Sequence, residues 1–489
     1  MLQSTAPQPE SKLPALSNYR VILITILMAV MGILIAMTVG EIGPFALVIA
    51  LGLIVLLTML TKPDIGLFIF VLAIYINLSA VLITNYGFPS IAKAMVVVMG
   101  GLILFRRFLF KDEYEGWVVP SLLLGAYAVL GTVSLIFASS FDLARIMLVE
   151  YLKDALISII IILLIQRPNS LRGAVWALLS AGIFLGTISC YQQLTGTFTN
   201  NYWGFAQVDL FSSTGSRLTG PIGDPNYYAQ ILVVLLPLAV DRMGNEKNIL
   251  LKSLAAWAFF VSALTVIFTY SRGGFLAMVV AIALIVVLRH LRLPSILFAF
   301  VAIMIIFQLA PATYKNRITN LANVLPSSRT GGFVDRSIRS RTTENVVAWN
   351  VFRDHPIFGV GIGNFNAYYQ IYARELGLVA RSQARSAHNL YLEIAAERGL
   401  AGLLMFGSIV VLAMRQVFRA SKKFKDMGNE QMTGLSAAMG ISLITYLVTA
   451  FFLHDAFPRF FWVLVGICWA IPPIAKNLSI LPKTKPLPS

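Results

Sequence analysis

Apolar residues run in blocks of about 20 along most of the chain, the length an α-helix needs to cross the hydrocarbon core of a bilayer. Fourteen such blocks are predicted as membrane helices, at approximately 21–39, 43–60, 65–86, 91–105, 117–138, 144–165, 173–193, 226–240, 252–270, 273–289, 294–310, 400–416, 434–453 and 460–475. One long polar interval interrupts them, from Ala310 to Gly399. Within it, Thr343–Arg353 (TENVVAWNVFR) has helical apolar spacing, and His355–Phe365 (HPIFGVGIGNF) is rich in Pro and Gly turns. Asn366–Leu376 and Ala387–Arg398 read as two further amphipathic helices. The expected organisation is a cytoplasmic N-terminus (1–20), a helix bundle (21–310), a folded helical loop (311–399), C-terminal membrane helices (400–475) and a cytoplasmic tail (476–489).

Composition agrees with this pattern. Of 489 residues, 58% are hydrophobic and 12% charged, and mean hydropathy is +0.79. Soluble domains carry about 25% charged residues, so the chain reads as an integral membrane protein. A net charge of +16 raises the question of nucleic acid. No basic soluble domain or aromatic-basic motif accompanies it, so no nucleic-acid partner is expected. The polar first twenty residues, followed by a long apolar run, read as an anchor rather than a cleaved leader. Cys190 and Cys468 lie far apart in apolar segments and read as packing residues, and no cluster suggests a metal.

Positive charge sets the expected orientation. With the N-terminus in the cytoplasm, Lys62, Arg106, Arg107, Arg167, Arg172 and Arg242 fall inside, as does the cluster from Arg415 to Lys425. The opposite face then receives 195–225, 271–272, 311–399 and 454–459. The 310–399 interval carries ten Arg and one Lys, against the charge rule for an outer loop. Arg is the side chain suited to phosphate, being planar, always charged and able to give two parallel hydrogen bonds.

Three places on that face combine polar residues with helix ends. The first is Arg217-Leu218-Thr219-Gly220-Pro221 running into Asp224-Pro225-Asn226, where Asp224 or Asn226 is placed to cap a helix. The second is the short link Thr269-Tyr270-Ser271-Arg272, which holds Arg272 at the membrane edge, where an ionisable residue is a functional candidate. The third is His388, followed by Asn389 and preceded by Arg385, a cation expected to disfavour imidazolium and leave a proton acceptor. His355 reads as turn architecture, and His454 as a lesser second site. Glu150 and Asp154, beside Lys153, read as a helix-edge charge pair.

The motifs at 217–226, 270–274 (YSRGG), 355–365 and 387–402 (AHNLYLEIAAERGLAG) together resemble the O-antigen ligase / O-antigen polymerase family, over roughly residues 200–415. The resemblance implies an all-α polytopic membrane protein with about 12–14 transmembrane helices and a large helical periplasmic loop, GT-C-like. It implies a glycosyltransferase of the bacterial inner membrane, with both termini cytoplasmic and its site periplasmic. The donor would be a polyprenyl-pyrophosphate-linked glycan, the acceptor a glycolipid, protein or glycan, and no cofactor or metal is implied. Carried onto this sequence, Arg217 and Arg272 bind pyrophosphate and His388 is the base, with Arg385, Asn226 and Asn389 in support. Ligase and polymerase activities remain alternatives, as does transport of a small anion such as bicarbonate. The absence of an evident internal repeat and of ionisable residues along the inner spans weighs against transport.

Overall fold

The computed structural model describes residues 59, 62–210, 216–289, 336–378, 386–454 and 458–480. Its helices are α1 (Pro63–Tyr75), α2 (Leu78–Tyr86), α3 (Ile91–Leu109), α4 (Val118–Ser134), α5 (Phe141–Leu164) and α6 (Pro168–Thr195). Then come α7 (Pro225–Val233), α8 (Leu236–Asn245), α9 (Ile249–Phe268), α10 (Arg272–Arg289), α11 (Arg336–Asp354) and α12 (Phe365–Glu375). The last three are α13 (Leu390–Asp426), α14 (Glu430–Thr449) and α15 (Pro458–Ile480). Short strands β1 (Gln207–Asp209) and β2 (Arg217–Gly220) pair antiparallel ahead of α7. The protein is an all-α polytopic membrane protein.

Among the described residues, seven helices are long and apolar enough to cross a membrane, or eight if α1 and α2 form one bent span. The expected spans 21–39 and 294–310, and all of 43–60 but Met59, lie outside the described residues. The remaining expected blocks are helical. The block at 65–86 is broken: Asn77 adopts φ 57°, α1 and α2 meet at 56°, and the buried Asn77 amide donates to Pro221 O at 3.0 Å. A polar residue inside an apolar run thus fastens the bundle to the loop that leads into α7. The α7–α8 pair is the most enclosed span, with 83% of its apolar window buried.

Arg242, expected in a cytoplasmic loop, instead closes α8 with no exposed surface, paired with Asp241 and with Glu246 at 3.2 Å. Arg172 and Trp176 of α6 also donate to Glu246. A guanidinium is tolerated there because its partners are built in.

A second, smaller core joins Val347, Val351, Phe365, Tyr369 and Ala373 with Ala387 and Ala396. It welds α11 and α12 to the start of α13. The Pro/Gly segment between α11 and α12 lies along that start as a strap: Val360 and Gly361 donate to the Ala396 and Glu397 carbonyls, both at 3.0 Å. The Glu397 carboxylate takes the Gly363 and Phe365 amides at 2.8 and 3.2 Å. Gly359 has φ 68°, and a Cβ there would sit 2.3 Å from the Glu397 carbonyl carbon, so only glycine fits. At Gly399 (φ 63°, ψ −165°) α13 leaves helical geometry, so the expected amphipathic helix ending at Arg398 and the span beginning at 400 meet at a kink.

Candidate active site

Two helix starts and one helix of the polar interval converge on the face that carries the strap. Asp224 caps α7, its Oδ1 accepting the Asn226 and Tyr227 amides at 2.7 and 3.0 Å, with Pro225 at the first helical position. Ser271 Oγ accepts the Gly274 amide at 3.2 Å at the head of α10, and Tyr270 before it holds a left-handed φ of 53°. That φ is uncommon for an aromatic residue, and such strain collects at functional sites.

Arg217, at the start of β2, ties these two starts together. Its Nε donates to Thr269 O at 2.8 Å and its Nη2 to Asn226 Oδ1 at 3.3 Å. Asn226 therefore supports Arg217 directly. Arg272 is the first residue of α10, a position where the helix dipole favours an anion over a cation. An arginine held at such an end, with helix amides beside it, is suited to an anionic ligand.

Arg341 of α11 faces the same cluster. Burial lowers its pKa and the nearby Arg272 acts in the same direction, while Asp224 and Glu344 oppose them. Three arginines from distant parts of the chain thus surround one region, with Asp224 and Glu344 as the acidic counterparts. The sequence motifs had not singled out Arg341 or Glu344; both lie on the polar side of an amphipathic helix, where charged residues are usually solvated.

His388 adopts φ 48° immediately before α13. Its Nδ1 lies 2.9 Å from Glu344 Oε2 and 3.1 Å from Ser386 O, and its side chain is 28% exposed whereas that of Glu344 is 1% exposed. With Nδ1 occupied, Nε2 is the nitrogen left to receive a proton. Arg385, the expected neighbour, lies outside the described residues; the charged group placed on His388 is the Glu344 carboxylate. Asn389 caps α13 through its Oδ1, which accepts the Tyr391 and Leu392 amides at 3.1 and 3.2 Å, so it fixes the backbone next to His388.

His454, from the α14–α15 connection, meets His388 edge to face with ring centroids 5.3 Å apart. Tyr227 pins it: the tyrosine hydroxyl donates to His454 O at 2.5 Å and accepts the His454 amide at 3.0 Å. Burial, followed by His388 and Arg341, drives its pKa down to about 3, so the imidazole is neutral at physiological pH. His355, by contrast, packs edge-on against Tyr368 at 5.8 Å and takes no part in this cluster. No group of three or more His, Cys, Asp or Glu among the described residues is placed to hold a metal ion.

A base candidate held by a carboxylate, with Arg341 beside that carboxylate, is a geometry for handling an acidic leaving group. Residues 257–407 match the model of the O-antigen ligase family. The match bears out the resemblance read from the motifs, since the 270–274, 355–365 and 387–402 segments all fall within the O-antigen ligase region. Arg217 and the α7 cap lie before it and join it through the Thr269 contact. The chain is also similar to the teichuronic acid biosynthesis protein TuaE of Bacillus subtilis (strain 168). The two are 23% identical over 461 residues, which cover 89% of this chain and 91% of that protein. Together with the multi-pass helix bundle, the O-antigen ligase match supports a membrane glycan-processing enzyme.

Proposed function

We propose that the protein transfers a glycan from a polyprenyl-pyrophosphate-linked donor to an acceptor hydroxyl, on the periplasmic face of the bacterial inner membrane. The observation that carries this reading is the Glu344–His388 pair, Oε2 to Nδ1 at 2.9 Å, beside Arg341, which Arg272 and Glu344 both influence. Glu344 orients the imidazole, and His388 Nε2 accepts the acceptor's hydroxyl proton as the oxygen attacks the anomeric carbon. General-base assistance of this kind contributes about 10²–10⁴-fold. The bond to the pyrophosphate oxygen breaks on the opposite side, which inverts the anomeric centre. The arginines and the α10 N-terminus stabilise the charge that grows on the departing pyrophosphate. The prenyl chain of such a donor explains why the site is built at the edge of a membrane bundle.

The test is a deletion strain complemented with wild type or His388→Ala. Restoration of long surface glycans by wild type, and accumulation of lipid-linked glycan with His388→Ala at equal membrane abundance, is expected. Restoration by His388→Ala removes the histidine from the mechanism. The accumulated species also assigns the acceptor: lipid-linked polymer marks a ligase, and single lipid-linked repeat units mark a polymerase.

A further inference from the structure

The exposed face of α13 changes character along a single line. Leu400, Leu404, Val411, Arg415, Arg419 and Lys422 recur at intervals of three, four or seven residues, so they share one side of the helix. All six are exposed, Leu404 and Val411 by 62% and 52%. The opposite side, with Phe406, Ala413, Val417 and Phe424, is buried. The exposed line is apolar up to Val411 and cationic from Arg415, so the edge of the hydrocarbon on this helix falls between them. From Arg415 to Lys422 the helix rises about 10 Å, enough to span a headgroup layer of about 5–8 Å.

These cations have no acid built in beside them. No Asp or Glu occurs from 400 to 425, and among the described residues none of the three cations has an ion-pair partner. The first acids in sequence, Asp426 and Glu430, lie at the turn into α14. By contrast, Arg106 pairs with Asp112, and Arg172 and Arg242 both pair with Glu246. The protein therefore neutralises other arginines internally and leaves this line open to an outside anion.

A shallow groove runs between the same residues, lined by Val411, Met414, Arg415, Phe418, Arg419 and Lys422. Phe418 forms one wall, and its ring rests on α14 at Gly440, where a Cβ would lie 2.7 Å from the ring. A glycine at that point seats the ring. The groove thus combines an apolar floor with a cationic rim, and its floor continues into the exposed apolar line toward Leu404.

We propose that this groove binds one anionic glycerophospholipid of the surrounding leaflet. Arg415 and Arg419, one turn apart, bracket the phosphodiester, because guanidinium forks match phosphate oxygens. Lys422 adds a point charge further out, and an acyl chain follows Val411, Met414 and Phe418 into the leaflet. A free phosphate ester would engage the cations but leave the apolar floor uncovered. The site lies at the far end of α13 from His388 and does not depend on the glycan-transfer reading.

Native mass spectrometry of the full-length protein, released from detergent micelles, counts bound lipids directly. Dioleoyl phosphatidylglycerol and dioleoyl phosphatidylcholine have the same chains and differ in head-group charge. The first phosphatidylglycerol should bind about fivefold or more tightly than phosphatidylcholine. Arg415→Gln/Arg419→Gln should cut that preference to about twofold or less. Arg107→Gln/Lys111→Gln removes the same charge from the α3–α4 connection and should leave the preference intact; all four residues are exposed. Glycerophosphoglycerol, the same head group without chains, should not displace the lipid when added in excess. Equal affinity of wild type for the two lipids overturns the proposal before any variant is made. So does a preference that survives Arg415→Gln/Arg419→Gln, or one that falls equally in both double variants, which marks bulk charge. Displacement by glycerophosphoglycerol overturns it too, because the apolar groove would then contribute nothing.

Discussion

Glu344 Oε2 lies 2.9 Å from His388 Nδ1, joining a helix of the polar interval to the turn that begins α13. The carboxylate is almost fully buried, so its direction is fixed by α11 and by Ser340, which donates to its Oε1 at 2.9 Å. Glu344→Gln keeps the shape and removes the charge. Glycan transfer should fall by about 10- to 10³-fold, an effect smaller than or comparable to loss of the base itself. The loss should appear in kcat with KM for the donor little changed, because the pair acts on the reacting proton. A variant with unchanged kcat would remove Glu344 from the mechanism.

Arg217 bridges the Thr269 carbonyl and the Asn226 side chain with two different nitrogens. A lysine carries the same charge but cannot span both acceptors. Arg217→Lys should reduce kcat/KM by about tenfold or more, mainly through weaker donor binding, while the protein remains in the membrane at wild-type abundance. Arg272→Lys at the head of α10 should behave alike. Full activity of both would mean that charge alone suffices.

His454 gives a pH signature. Its pKa is about 3 in the folded protein against an ordinary 6.5, so between these values the unfolded chain binds a proton that the folded chain does not. Stability is therefore lost as pH falls through this window, by at most about 1.4 kcal/mol per pH unit, and is unaffected by this group above it. His454→Gln should unfold with a shallower dependence on pH across that interval, measured as Tm in detergent. Parallel curves for wild type and variant would place the imidazole in water.

Gly359 holds the strap against α13 in a conformation that only glycine accepts without strain. Gly359→Ala places Cβ 2.3 Å from the Glu397 backbone and forces a left-handed φ on alanine. The region from α11 to the kink should lose at least about 1–3 kcal/mol of local stability, seen as faster limited proteolysis within 336–398. Wild-type protection would show that the strap moves without cost.

The helices were legible because their signal is local. A run of 20 apolar residues has few options in a bilayer, and the polar segments between runs carried the caps and turns that end helices. Asp224 and the Thr269–Arg272 link were readable for the same reason, since a cap or tight turn acts on its own neighbours, whereas the Asn389 cap was not read. The break at Asn77 was less so, because one polar residue in an apolar run does not say whether the helix bends or tolerates it. The motifs also supplied His388, Arg217 and Arg272 as candidates.

What these residues touch was decided by tertiary structure. Glu344 and Arg341 belong to an amphipathic helix whose charged face reads as solvated, until α11 packs on α13 and brings that face to His388 and Arg272. His454 gained its meaning from packing against His388 and Tyr227. By itself the sequence determined a membrane-spanning helical chain with an arginine-rich polar interval, because hydrophobicity and capping are properties of short segments. Only the folded chain decided which carboxylate holds the histidine, because that contact joins residues with no local relation.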